Sequence, residues 1–462
     1  MTYPPNVRTA PEHAPAQPPA PVSLPAPRRS AWSESTARLR AAATTEPGRL
    51  QIIGAALAAL VLAFGAVTAF EISDRAAAAD EVVSRSQPLS AEAANIYRSL
   101  ADADTAAASG FLAGAQEPRE VHERYEKDIQ DASRLLVKAA STTDASSPSG
   151  QEITKLNQEL PRYTGLIERA RANNRQGLPL GGAYLRYANQ KMSAELLPAA
   201  ERLYTAETGR LDQDGDSARA WPFLSLGLGA VTLGALFWAQ RRNYRRTNRV
   251  FNHGLLAATA ASTVLLLWLA VGHTVARAEL RDADVHGQQS LDVLNQARIN
   301  SLKARANELL TVVARGAVLT ADGKNDKYET DYSTGMKALG GELAAARKLA
   351  DDAQGSGPVA QAVSGVSEWQ TRHRTARSTD DNGDYEGALK QIIGAKDSTG
   401  ESFGRVDGAL EKALAHEQGE FTRAARDGRG ALGGLPVGAA ALAVLAAVAA
   451  IVGINRRLSE YR

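Results

Sequence analysis

The stretch LQIIGAALAALVLAFGAVTAF, residues 50–70, runs through a full span of chain without a single Asp, Glu, Lys or Arg. Three more windows share that property: 220–240, 254–276 and 431–455. Each has about the twenty residues that a helix needs to cross the hydrocarbon core of a bilayer. A soluble helix of that length would show a polar face, and these do not. Pro222 and Pro436 sit at or near the start of their windows, where a first-turn proline is tolerated. The windows therefore predict an all-α integral membrane protein with four transmembrane helices. The first apolar run is longer than a signal-peptide core, and helix-forming sequence continues to Ala79, which favours an uncleaved anchor.

Charge sets the expected orientation. Lys and Arg gather on the cytoplasmic side of membrane proteins. Arg8, Arg28, Arg29, Arg38, Arg40 and Arg49 precede the first window, and Arg456, Arg457 and Arg462 follow the last. The short connection between the second and third windows carries Arg241, Arg242, Arg245, Arg246 and Arg249 with no acid. By contrast, 71–219 has 18 basic and 23 acidic residues, and 277–430 has 21 and 24. The two large segments are thus expected outside a plasma membrane, and both termini and the Arg-rich hairpin 241–249 inside. The arginines act first as topology determinants facing anionic lipid, and they are the leading candidates for contact with a cytoplasmic partner. With a net charge of +2 overall, nothing calls for nucleic acid.

Each outside segment is expected to be a four-helix bundle, because apolar residues recur at three- and four-residue spacing. In the first, 71–219, the stripes are Ile96–Leu100–Ala103–Ala107–Phe111, Val121–Tyr125–Ile129–Ala132–Leu136, Ile153–Leu156–Leu160–Tyr163–Ile167 and Leu197–Ala200–Tyr204–Thr208–Leu211. In the second, 277–430, they are Leu302–Ala306–Leu309–Val313, Tyr328–Tyr332–Met336–Leu339–Leu343, Val359–Val363–Val366–Trp369 and Phe403–Val406–Leu410–Leu414–Phe421. YEKDIQDA from Tyr125 aligns with YETDYSTG from Tyr328, an offset close to that between the first and third windows. An internal duplication of span, bundle and span is the expectation, with the outermost helices of each bundle running on from membrane helices. Residues 1–49 hold ten of the nineteen prolines and little apolar material, which predicts a disordered cytoplasmic tail.

Chemistry is sparse. There is no cysteine, so thiolate metal sites and disulfides are excluded. No nucleotide-binding, hydrolase or metalloprotease motif appears, no cofactor is expected, and the protein reads as a non-enzyme. DQDGDS, residues 212–217, opens like a calcium loop, but its Gly comes too early and Phe223 stands where the closing Glu belongs. The windows contain no ionisable group of the kind that ion pathways need, other than His273. Small residues recur every fourth position at Ala55–Ala59–Ala63 and Ala439–Ala443–Ala447, a pattern suited to close helix packing as well as to simple Ala bias. On the outside, Arg372, His373 and Arg374 are the one candidate ligand contact, with His373 on an apolar stripe where a core role competes.

The bundle pattern is similar to the extracytoplasmic sensor domains of chemoreceptors and some histidine kinases, without a signalling domain after any span. The doubled plan, with RRNYRRTNRVFNHGLLAATA at its centre (241–260), resembles the actinobacterial four-span transducer of amino-acid sensing. That resemblance implies an external solute-binding lipoprotein for glutamine, aspartate or related amino acids, and protein kinase G, a Ser/Thr kinase, inside. Partners expected on this basis are such a lipoprotein and such a kinase, beside the bilayer that the apolar windows call for and a second copy of the chain as a homodimer. The alternatives are an envelope scaffold and a direct small-molecule sensor.

Overall fold

The computed structural model describes residues 46–114, 117–247 and 252–458. The described residues are almost entirely helical, with one isolated bridge between Leu319 and Asp326 and no strand. Helix α1 (Glu46–Glu81) passes through a π-helical turn, Val82–Ser86, straight into α2 (Gln87–Ala113). Then come α3 (Arg119–Thr142), α4 (Pro148–Arg175) and α5 (Leu180–Lys191), the last joined by a second π-turn (Met192–Leu196) to α6 (Leu197–Arg219). Helix α7 (Phe223–Thr247) follows a break at Ala220–Pro222.

The second half repeats the beginning of this order. Helix α8 (His253–Asp282) continues through a π-turn, Ala283–Gln288, into α9 (Gln289–Ala314). Helices α10 (Lys327–Leu349), α11 (Ala353–Asp381), α12 (Tyr385–Ile393), α13 (Thr399–Leu432) and α14 (Leu435–Leu458) complete the chain. The short helices α5 and α12 lie outside the four stripes per segment expected from sequence. Local chemistry fixes their ends. Ser147, Asp326, Asp352, Asp384 and Ser398 each accept a backbone N–H in the first turn of the helix they cap. Gly383 before α12 and Gly434 before α14 have positive φ (87° and 78°), which a residue with a side chain seldom adopts.

Four helices are long and apolar enough to cross a membrane, one for each uncharged window. They close into a ring in which α1 packs on α14 and α7, and α8 packs on the same two. Small residues allow the tight contacts. A Cβ on Gly65 would stand 2.1 Å from Ala443 Cβ, and one on Gly254 only 2.3 Å from Gly453 Cα. Ala439, Ala443 and Ala447 line this interior, as their spacing suggested. Ala55, Ala59 and Ala63 instead face outward, and α1 presents Leu57, Ala58, Val61 and Phe64 to its neighbours. Large apolar side chains cover the outside of the ring, among them Val231, Phe237, Leu267, Val444 and Leu445, each more than half exposed. Such a surface is costly in water and ordinary in lipid.

At one end of the ring the two large segments, 71–219 and 277–430, are not separate bundles. One core runs through both, holding Ile96, Leu100, Leu136 and Tyr163 of the first half with Leu302, Leu310, Leu339 and Trp369 of the second. Helices α2 and α9 lie side by side at its centre.

Candidate functional site

The seam between α2 and α9 is where the two halves meet, and it is unusually polar for a core. From Ala101 to Ala108 every residue but Asp102 is buried, because small side chains allow the helix to be packed on all sides. Thr105 Oγ1 lies 3.1 Å from the Leu302 carbonyl across the seam and 3.0 Å from the Ala101 carbonyl in its own helix. Lys303 Nζ donates to Tyr97 Oη at 2.8 Å, and Tyr204 Oη donates to Asp292 at 2.7 Å. Arg124 of α3 reaches Asp102 at 2.7 Å and Asp407 of α13 at 3.6 Å, while Arg298 makes a two-pronged pair with the same Asp407 at 2.7 and 3.2 Å. Bidentate geometry of this kind fixes orientation as well as charge.

A second polar cluster lies beside the seam, inside the second half. Glu308 of α9 is completely buried. Its carboxylate accepts from Arg305 Nη1, from Trp369 Nε1 at 3.1 Å and from His373 Nδ1 at 2.8 Å. Arg305 also donates to Thr399 Oγ1 and to the Ile392 carbonyl, so the cluster joins α9 to α11, α12 and α13. His373 Nε2 lies 3.1 Å from Glu329 of α10, and the ring stacks on Tyr332 at 3.9 Å. Burial alone would lower the His373 pKa; hydrogen bonds to Glu308 and Glu329 outweigh it and raise the imidazole to about 9. Burial likewise opposes ionisation of Glu308, but Arg305 and His373 hold its carboxyl below the usual range.

Two charges at the seam have no such counter-charge. Asp104 of α2 is 5% exposed and is held by Tyr163 Oη (3.1 Å) and Asn189 Nδ2 (2.7 Å), with no cation within 4 Å among the described residues. Burial pushes its carboxyl up to about 6, against the pull of those two hydrogen bonds. Lys303, half-buried on α9, has no carboxylate within 4 Å either, and burial lowers its pKa. Both line one cavity of about 190 Å³, together with Asn189, Asn307 and Asp331. A larger cavity of about 320 Å³ opens over Arg124, Arg305 and Glu401 on the other side of α2.

The three residues singled out from sequence do not converge. Successive helix positions differ by about 100°, so Arg372, His373 and Arg374 point in three directions. His373 faces the core as described; Arg372 binds Glu368, Glu401 and the Ser398 carbonyl; Arg374 is exposed and donates to Thr371. Arg241 and Arg242 continue α7 past its apolar window, Arg242 over the Trp238 ring at 5.3 Å, and the same helix carries Arg245 and Arg246. Arg249 lies outside the described residues, as does the proline-rich tail up to residue 45. The calcium-like stretch 212–217 is helical, part of α6 rather than a loop. Sequence reading missed Asp104, Lys303 and Glu308. Only the lack of long side chains from Ala103 to Ala108 hinted that α2 is surrounded on all sides.

Comparison with known families bears on the first half. Residues 78–216 match the actinobacterial sensor domain. The matched region runs from the end of α1, through α2 to α5, into α6, and so contains the first-half side of the seam, Asp104 included. It points to a sensing or signalling role for this part of the chain. No curated protein and no solved structure matches.

Proposed function

We propose that the protein is a non-enzymatic transducer in a plasma membrane, with the large helical assembly outside and both termini and the Arg241–Arg249 connection inside. The family match to a sensor domain carries this reading. It is supported by the unbroken helices that join the seam to the membrane ring, since a shift of an ångström or two between α2 and α9 would be carried inward along them. In this scheme an external solute-binding lipoprotein biases the seam and a cytoplasmic Ser/Thr kinase reads the inner ends. Pull-down of the full chain from native membranes is expected to recover a binding lipoprotein, a kinase or both. Recovery of neither, together with normal signalling in a strain lacking the gene, would sink the proposal. Replacing Arg245 and Arg246 by Gln should preserve insertion, because three arginines remain, and should weaken kinase coupling if the connection carries output.

A second reading, direct sensing of a small polar molecule, is favoured by the cavity that Asp104 and Lys303 share. A volume of about 190 Å³ has room for roughly six waters at 30 Å³ each. Thermal shift of the purified chain against small polar solutes, with Asp104→Asn as the comparison, separates this from sensing through a bound protein.

A further inference from the structure

The lower part of the second half holds a group of side chains outside the seam. Asp352 caps α11 and accepts from Gly355 N at 2.7 Å, which fixes the direction of its carboxylate. His416 and Glu420 are one turn apart on the same face of α13. Asp352 Oδ1 and Glu420 Oε1 flank His416 Nε2 at 3.2 and 3.7 Å, and all three atoms lie within 4.8 Å of one another. Tetrahedral ligands bound at about 2.1 Å would sit about 3.4 Å apart, so these separations are close to those of ligands around one ion.

Two further observations point to something missing there. His416 Nε2 is buried and makes no hydrogen bond. Glu417, 3% exposed, has no Lys or Arg partner among the described residues, nor have Asp352 and Glu420. Its Oε1 would stand 3.0 Å from a Cβ placed on Gly355, with Asp352 Oδ1 and His416 Cδ2 each at 3.5 Å from the same point. The absent side chain of Gly355 thus leaves the gap onto which these groups converge. The Glu417 carboxyl is hydrogen-bonded to Ser290 but faces no Lys or Arg among the described residues, so a cation beside it would offset the cost of ionising it in the interior.

We propose that Asp352, His416 and Glu420, with Glu417 behind them, bind a divalent transition-metal ion, zinc by the match of one imidazole nitrogen to carboxylate oxygens. The three first-named groups supply the bonds and an open position is left for water. The ion ties the turn before α11 to α13, the helix that leads down to the fourth span. This site goes beyond the transducer reading and does not rest on it, because metal content is measured without any signalling output.

The test uses the full chain, purified without a polyhistidine tag in detergent micelles, stripped with EDTA and desalted. Zinc is titrated calorimetrically, with calcium and magnesium as comparisons, and bound metal is counted by elemental analysis. One zinc per chain is expected. His416→Ala and Glu420→Gln should each weaken binding by about tenfold or more, since even outer-shell partners are worth that much. Gly355→Ala keeps every ligand but fills the gap and should weaken binding too, whereas Glu123→Gln, at an exposed pair elsewhere, should not. Zinc no higher than in the stripped blank, or unchanged affinity in Glu420→Gln and Gly355→Ala, overturns the proposal. Those two variants also decide the matter if His416→Ala loses its helicity.

Discussion

Glu308→Gln removes one negative charge from the middle of the second half and almost no volume. Arg305 and His373, each 4% exposed, would then be buried cations facing a neutral amide. Removing one partner of a buried, hydrogen-bonded ion pair costs roughly 3–5 kcal/mol. At about 2–4 °C per kcal/mol for a large helical domain, the melting temperature should fall by roughly 6–20 °C. The pH dependence gives an independent handle. The His373 pKa is raised from 6.5 to about 9, so its contribution is full below pH 6.5 and is lost as pH rises towards 9. That interval corresponds to a loss on the order of 3 kcal/mol in the native chain. In Glu308→Gln the main partner is gone, and the slope between pH 6.5 and 9 should flatten. Helicity followed against temperature in micelles, from pH 6 to 9.5, measures both effects. A variant within 1 kcal/mol of the native chain at pH 6.5, or a native curve flat across the window, would refute the assignment of Glu308 as the anchor of this cluster.

Other substitutions test the seam and the ring. Asp104→Asn should stabilise the chain at pH 7.5 by up to about 3 kcal/mol, because the carboxyl there is raised from 3.8 to about 6 and costs stability as pH climbs through that range. Near pH 3.5 the gain should vanish, and melting curves at the two pH values check the sign. Thr105→Val removes the hydroxyl shared between the Ala101 and Leu302 carbonyls and should cost about 1 kcal/mol in the same assay. Gly254→Leu would drive a side chain into Gly453 and the Ala449 carbonyl, forcing α8 and α14 apart. Cysteine cross-linking between α8 and α14 should become inefficient in that variant, while cross-linking between α1 and α7 persists.

The parts of this architecture visible in sequence are those set by composition over many residues. Twenty positions without charge identify a helix that prefers lipid whatever its neighbours do, so all four long apolar helices could be placed. Stripes such as Ile153–Leu156–Leu160–Tyr163 give a helix and the side it buries, but not the surface it is buried against. That is why the segments read as two bundles, although α2 and α9 share one core. The buried cluster was hidden for a different reason. Arg305 and Glu308 look like an ordinary solvent-facing pair three residues apart, and only the arrival of Trp369 and His373 from α11 makes the position interior. Asp104 was equally silent, since Tyr163 and Asn189 are 59 and 85 residues away.

The helix connections at the edge of the apolar ring differ in continuity, which on the proposed transducer reading would give the four spans different mechanical roles. The helices α1–α2 and α8–α9 run on without a break through their π-turns at Val82–Ser86 and Ala283–Gln288; the first covers 66 residues, about 100 Å at 1.5 Å per residue. The other two, α6–α7 and α13–α14, are interrupted at Ala220–Pro222 and at Gly433–Gly434. The unbroken pair also forms the seam. On the proposed transducer reading, a shift at the seam would reach the far ends of these two helices, beside Arg49 and at Asn252, where Asn252 Nδ2 donates to the Gly453 carbonyl at 2.9 Å. On the proposed topology the arginines on α7, at the foot of an interrupted helix, would hold the assembly against the lipid headgroups.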